Sequence, residues 1–236
     1  MTSVPAAAPP AIVATALTKS YGPSVALAGV DFRVTPGESV AIMGASGSGK
    51  TTLLHCLAGI ITPDSGSVSL ATATGPLEIT ALDEAGRSRL RREAFGFVFQ
   101  QGLLLPELTA IENVALPLML TGTDRRAAEQ TAAMWLAALG LAGYETRRIG
   151  QLSGGQAQRV AIARAQTTGA AVVFADEPTG ALDSQTSAEV MDALIRSTTD
   201  RGRSLVVVTH DETVAARCSR VLRLADGRIV DEVNAR

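Results

Sequence analysis

One short run constrains this chain more than anything else in it. Gly44-Ala45-Ser46-Gly47-Ser48-Gly49-Lys50-Thr51 has the form GxxxxGK[ST]. Ahead of it, Pro36-Gly37-Glu38 marks a turn and Ser39-Val40-Ala41-Ile42-Met43 a short buried strand. Behind it, Leu53, Leu54, Leu57 and Ile60 recur at helical spacing, with Gly59 near the expected helix end. A glycine-rich loop between strand and helix can turn its N–H groups inward around phosphates, and the helix dipole adds to that field. In this setting Lys50 is placed to neutralise β- and γ-phosphates and Thr51 to hold Mg²⁺. Lysine occurs only at Lys19 and Lys50, so its position in the loop stands out.

Composition narrows the classes around that loop. The 236 residues suit one large domain, or a core with a modest insertion. With 46% hydrophobic and 19% charged residues, wholesale disorder is excluded. A net charge of −2 lacks the footprint of a dedicated nucleic-acid binder, so no nucleic-acid partner is expected. Cys56 and Cys218 lie too far apart for a disulfide framework or a paired zinc module. His55-Cys56 also lacks metal-ligand spacing, and Cys56 reads as a packing residue. The most apolar stretch, Ala132 to Gly143, is about a third too short to span a bilayer as a helix. Trp135 and Leu139 mark it as a buried helix. Met1 to Pro10 has no basic segment and is broken by Pro5, Pro9 and Pro10, which predicts a disordered lead over 1–10 and a cytoplasmic chain.

Along the chain, residues 11 to about 82 read as strands and turns, with a loop at Thr62-Pro63-Asp64-Ser65-Gly66. From about 85 to 159, alanine- and leucine-rich runs predict a mostly helical insertion. Within it, Arg87, Arg89, Arg91 and Arg92 read as a solvated helix face. Strand-and-helix alternation returns at Ala170. Ala170 to Ala175 and Leu205 to Thr209 have the apolar character of parallel strands covered on both sides, with a helix over Ser187 to Thr199 between them. A terminal hairpin is expected over Val221 to Val230, around Asp226-Gly227.

Two further clusters carry chemistry. Val172-Val173-Phe174-Ala175-Asp176-Glu177-Pro178 ends a buried strand in adjacent carboxylates, which repel unless a positive group sits there. Mg²⁺ on a nucleotide would serve: Asp176 would bind it through water, and Glu177 would act as general base on an attacking water. His210 ends the other apolar strand. All three polar elements thus share the carboxyl edge where parallel α/β sheets place ligands. Separately, Leu152-Ser153-Gly154-Gly155-Gln156 precedes the helical run Ala157 to Gln166, and Ser153 and Gln156 have capping-box spacing. A serine hydroxyl and glycine N–H groups at a helix N-terminus make a second anion site.

With these motifs the chain resembles the ATPase subunits of ABC transporters, over about 11 to 230. Gly44 to Thr51 matches the Walker A loop, Leu152 to Gln156 the signature and Val172 to Glu177 Walker B. Ala181-Leu182-Asp183 matches the D-loop, His210 the switch histidine, Gln100 the Q-loop glutamine, and Tyr21 the aromatic that stacks on adenine. Gln101 is the neighbouring alternative to Gln100; the preceding Phe97-Val98-Phe99 favours Gln100.

The resemblance implies an α/β fold: a P-loop NTPase (RecA-like) core with an N-terminal antiparallel β subdomain and an inserted α-helical signature subdomain. The ATPase domain would span 11–236, with core and β subdomain over about 11–84 and 160–236 and the helical subdomain over about 85–159. It implies ATP and Mg²⁺ as ligands, with Tyr21, Gly44, Ala45, Ser46, Gly47, Ser48, Gly49, Lys50, Thr51 and Thr52 on the nucleotide. Ser153, Gly154, Gly155, Gln156 and Asp183 would reach the nucleotide of a second copy or a paralogous subunit. Thr51, Gln100 and Asp176 would serve the metal, and Glu177, His210, Gln100 and Lys50 the hydrolysis. The remaining implied partner is an integral-membrane permease, holding the chain on the inner face of the cell membrane.

Within the family, Phe95 to Pro117 and Asp176-Glu177-Pro178-Thr179-Gly180-Ala181-Leu182-Asp183 are similar to the group serving macrolide export, lipoprotein release and cell-division permeases. Amino-acid importers share much of this pattern and remain an alternative, as does a soluble ABC ATPase. Ala157 and Gln166 depart from common family residues without touching the expected chemistry.

Overall fold

The structure, a computed structural model, describes residues 11–100 and 102–234. The expected lead over 1–10 and the alternative glutamine Gln101 lie outside the described residues. Two sheets form the frame. One is antiparallel and four-stranded, in the order β2-β1-β4-β5, from β1 (Ile12–Tyr21), β2 (Ser24–Val34), β4 (Ser65–Thr72) and β5 (Gly75–Glu78). The other is six-stranded, in the order β10-β9-β3-β8-β7-β6. It comprises β3 (Ser39–Met43), β6 (Phe95–Phe99), β7 (Val172–Asp176), β8 (Ser204–Val208), β9 (Arg220–Ala225) and β10 (Arg228–Asn234). All neighbours in it are parallel except the β9–β10 hairpin, which turns at Asp226 and Gly227, both at positive φ.

Side-chain alternation along the central strands builds two cores. Val40, Ile42, Phe174, Val206 and Val208 point to one face, where they meet the small sheet and helix α1 (Lys50–Leu57) through Leu53, Leu54 and Leu57. Ala41, Met43, Val173, Ala175, Leu205 and Val207 point to the other. There they meet α3 (Ala110–Leu120), α4 (Arg125–Ala138), α5 (Gly154–Gln166) and α6 (Ser184–Thr199). Trp135 and Leu139 lie buried in that second core, as the sequence predicts. Arg220, buried at the edge of β9, donates to Glu38 and Glu232 and to the Arg33 carbonyl, and so ties the two sheets together. Burial pushes the thiols of Cys56 and Cys218 up to about 11 and about 12, so both stay protonated packing groups at neutral pH.

Several boundaries differ from expectation. Helix α1 ends at Leu57, and Ile60 lies beyond it, 38% exposed. The cause is Gly59, whose φ of +62° closes the helix, with Gly59 N–H donating to the Cys56 carbonyl and Ile60 N–H to that of His55. Ser65 and Gly66, expected in a loop, already belong to β4. Helix α6 starts at Ser184, because the Asp183 carboxylate caps it by accepting from Thr186 N–H.

The larger correction concerns the helical insertion. Its span contains β6, which pairs in parallel with β7 and belongs to the central sheet. Phe95-Gly96-Phe97-Val98-Phe99 is a short apolar run that its pairing with β7 fixes as a strand, between the helix α2 (Glu84–Glu93) and the loop at Gln100. Of the basic run on α2, Arg87 and Arg91 are not a solvated face. They turn inward, pairing with Glu84 at 2.9 and 2.7 Å and donating to the carbonyls of Leu82 and Gly59. Arg89 and Arg92 are exposed.

Strand β6 also carries a steric demand. A Cβ on Gly96 would stand 2.3 Å from the Ala165 carbonyl oxygen of α5. Backbone presses on backbone there, with no side chain free to move aside. Gly96→Ala is therefore expected to cost about 1–3 kcal/mol of unfolding free energy, read by denaturant titration. An unchanged midpoint would show that α5 can lift off the strand.

Candidate active site

The carboxyl ends of β3, β7 and β8 converge on one edge of the central sheet, and the sequence-predicted residues gather there. A cleft of about 740 Å³ is lined by Gly44, Ala45, Ser46, Gly47, Gly49, Lys50, Thr51 and Thr52, with Tyr21, Glu177 and His210 around its rim. Ser24, Ala26 and Val208 also line it, and none of these three carries a motif that sequence reasoning could have used.

The loop is held open by glycine. A Cβ on Gly44, at φ +153°, would lie 2.1 Å from the Leu224 carbonyl oxygen; one on Gly49, at φ +103°, 2.2 Å from that of Ala26. The backbone is thus wedged between β9 and β2. Lys50 is 9% exposed, and its Nζ donates to the carbonyls of Gly44 and Ala45 at 2.7 and 2.8 Å, so the loop curls around the ammonium group. Among the described residues Ser48 Oγ is buried without a partner, a hydroxyl donor left over inside the loop.

At the end of β7 the acidic pair separates into two environments. Burial pushes the Asp176 carboxyl above the usual range; the nearby His55 ring and a weak contact from Thr51 Oγ1, 3.5 Å away, act in the opposite sense. Sequence reading did not foresee His55 beside Asp176, since its ring shows only as one residue of α1. Glu177 stands at φ +47°, an uncommon backbone conformation for a non-glycine residue. Its carboxylate is fixed from two sides: Oε1 lies 2.8 Å from His210 Nδ1, and Oε2 accepts from Thr209 Oγ1 at 3.3 Å. His210 is mostly exposed and Glu177 mostly shielded. A carboxylate oriented by an imidazole at the mouth of the cleft over Gly44 to Thr51 has the geometry of a base for an attacking water.

Gln100 joins this edge. It lines a smaller cleft with Thr51, Asp176 and Glu177. Gly180 leaves room for it, because a Cβ there would meet Gln100 Nε2 at 2.8 Å. The loop's backbone is gripped by α5: Gln158 Nε2 donates to the Phe99 carbonyl, and Arg164 donates to those of Gly102 and Leu103 at 2.6 and 2.7 Å. Neither residue was legible as a loop anchor, because their partners are main-chain oxygens distant in sequence.

The signature residues lie elsewhere. Ser153, Gly154, Gly155 and Gln156 start α5, with Ser153 Oγ accepting from Gln156 N–H and Gln156 Oε1 accepting from Ser153 N–H, the expected capping box. Asp183 caps α6 beside it. The two helix starts touch: Cβ atoms added at Gly154 and Gly155 would meet Leu182 at 3.1 Å and Thr186 at 2.5 Å. The signature and the Asp183 turn therefore make one continuous surface, and none of Ser153, Gly154, Gly155, Gln156 and Asp183 lines the cleft over Gly44 to Thr51.

Comparison with known proteins agrees with this geometry. The ABC transporter family model matches residues 27–180. The lipoprotein-releasing system ATP-binding protein LolD of Geobacter metallireducens is 45% identical over 91% of this chain and 95% of that protein. The macrolide export ATP-binding/permease protein MacB of Rhodopseudomonas palustris is 48% identical over 87% of this chain. The chain spans only 31% of that longer protein. Among solved structures, a dimeric ATP-binding cassette in a post-hydrolysis state with ADP and Pi superimposes with a TM-score of 0.85 at 37% identity, covering 95% of this chain and 99% of that one. Shared motifs, shared fold and identity over nearly the whole length give one conclusion: the chain belongs to the ABC transporter family and has the fold of its ATP-binding cassettes.

Proposed function

We propose that this chain hydrolyses ATP as one half of a cassette dimer and thereby drives a separate membrane permease, in a system of the lipoprotein-release or macrolide-export type. One observation carries the dimer: the phosphate-loop cleft and the signature surface are both fully built, yet they share no lining residue within one chain. Two copies packed head to tail would close each cleft with the other's Ser153, Gly154, Gly155 and Gln156, and would bring Asp183 alongside. Hydrolysis would then loosen the interface, because the nucleotide is part of it. The relatives in lipoprotein release and macrolide export support the transport reading. Among the described residues no helix is long and apolar enough to cross a membrane. In this reading the permease would hold the chain on the inner face of the membrane.

In this reading Tyr21 stacks on the base and the 44–52 loop cradles the phosphates. Lys50 turns from its own loop carbonyls to the β- and γ-phosphates. Glu177, oriented by His210, takes the proton of the attacking water. Hard oxygen donors at Thr51, Asp176 and Gln100 fit Mg²⁺. Mg²⁺ would supply charge neutralisation on the phosphates. We also infer the division into a core and β subdomain over about 11–84 and 160–236 and a helical subdomain over about 85–159, with β6 reassigned to the core. The loop around Gln100, gripped by Gln158 and Arg164 at the carbonyls of Phe99, Gly102 and Leu103, would join the two.

The test of the phosphate assignment is Lys50→Ala. Losing a charge-assisted contact to phosphate should weaken ATP binding roughly ten- to hundredfold, measured by calorimetric titration. Unchanged affinity would remove Lys50 from the phosphate site. For the partner, the chain should co-purify from solubilised membranes with a permease, and recovery without any membrane protein would favour a soluble ATPase.

A further inference from the structure

Tyr21 closes β1 at the mouth of the cleft, 50% exposed. In the sheet it pairs with Ser24, the last step of the β1–β2 ladder. The register of that ladder shifts between Lys19 and Ser20, and Gly22 turns the chain directly afterwards at φ +59°. A second grip on this strand end comes from the loop before β4. Asp64 N–H donates to the Thr18 carbonyl at 2.8 Å, and Thr18 Oγ1 lies 2.7 Å from Ser65 Oγ. The Asp64 carboxylate then spans the two residues ahead of Tyr21: Oδ2 accepts from Ser20 N–H at 2.7 Å, and Oδ1 accepts from Lys19 Nζ at 2.8 Å. Lys19 Nζ in turn stands 5.8 Å from the centre of the Tyr21 ring, within cation–π range. Gly66 lets the start of β4 lie close against β1, since a Cβ there would stand 2.5 Å from the carbonyl oxygens of Thr15 and Ala16, and Ser65 pairs with Thr18 across the two strands.

We propose that Asp64 is a positioning residue for nucleotide recognition: it sets Lys19 and the Ser20 backbone so that the Tyr21 ring presents a fixed face to the base. The inference rests on the reading of Tyr21 as the base platform and adds to it the device that holds the platform. Both partners of the Lys19–Asp64 pair reach solvent, Asp64 by about half. Exposed pairs contribute little to global stability. The role of this one is therefore local, and it separates the base from the phosphates. With Tyr21 free to swing, the base loses its stacking surface, while the 44–52 loop keeps its full set of donors.

The experiment compares two ligands on the full chain by calorimetric titration, MgATP and inorganic tripolyphosphate with Mg²⁺. Tyr21→Ala should weaken ATP about tenfold, in line with base–aromatic stacking, and leave tripolyphosphate unchanged. Asp64→Ala and Lys19→Met should weaken ATP about three- to fivefold, a part of the stacking effect, again sparing tripolyphosphate. Lys19→Arg, which keeps the ion pair, should restore ATP affinity. In a Tyr21→Ala background, Asp64→Ala should add nothing. If Tyr21→Ala weakens both ligands alike or neither, the platform reading itself fails. If Tyr21→Ala is selective but Asp64→Ala leaves ATP unchanged, weakens both ligands equally, or acts in full without the ring, Tyr21 stays the platform and the role of Asp64 is overturned. Asp64→Asn, which keeps an acceptor for Ser20 N–H, serves should the alanine variant not fold, with the same three outcomes overturning the role.

Discussion

Glu177→Gln should bind ATP with near-normal affinity and turn it over about 10²- to 10⁴-fold more slowly, the usual range for losing a positioned general base. The substitution isolates the chemistry unusually well at this position. Glutamine has the shape of glutamate and accepts the same left-handed backbone, so the φ of +47° carries over without new strain. Its amide oxygen can still accept from Thr209 Oγ1, and its side chain can still pair with His210 Nδ1. Only the capacity to take a proton is lost. Since the phosphate-loop donors are untouched, nucleotide should accumulate unhydrolysed, and with it the dimer that the nucleotide holds together. Phosphate release in steady state, alongside light scattering with ATP, reads both consequences. Wild-type turnover in this variant would mean that another group takes the proton, with Asp176, half-buried one residue earlier, the neighbouring carboxylate.

The parts of this site that were legible in the sequence share a property: each is written in local order. The strand, glycine loop and helix around Lys50 succeed one another within one stretch of chain, so periodicity and turn chemistry suffice. Ser153 and Gln156 form a capping box because a helix N-terminus needs donors satisfied at that spacing. Asp226-Gly227 predicts its hairpin by the same reasoning, and both residues adopt positive φ. What escaped depends on contacts across the fold. Phe95 to Phe99 lies between helical runs and reads as part of them until β7 supplies its pairing partner. Arg87 and Arg91 look like surface charge until Glu84 and the carbonyls of Leu82 and Gly59 are found beneath them. Gln158 and Arg164 grip the Gln100 loop through main-chain oxygens, which leave no residue-type signal. Asp64 belongs to the same class: in sequence it is a turn residue, and only the fold brings it under Lys19 and Ser20.

Ser153→Arg should separate nucleotide binding from dimer formation completely. Ser153 is exposed at the start of α5, so a longer side chain meets solvent rather than core in the single chain. Loss of its cap on Gln156 N–H costs about 1 kcal/mol, small beside the roughly 5–15 kcal/mol that holds a domain together. The cleft over Gly44 to Thr51 contains no atom of Ser153, so ATP affinity of the single chain should be unchanged. In the head-to-tail dimer the same position would face the other copy's γ-phosphate. A guanidinium there has no volume to occupy without holding the two copies apart. The decisive comparison is Glu177→Gln alone against Glu177→Gln with Ser153→Arg, by light scattering with and without ATP. The first should dimerise on adding ATP and the second remain a monomer, and on the wild-type background Ser153→Arg should reduce turnover to the background of isolated chains. Equal dimerisation of both would place the signature surface outside the interface, leaving the separation of the two anion sites within one chain without a function.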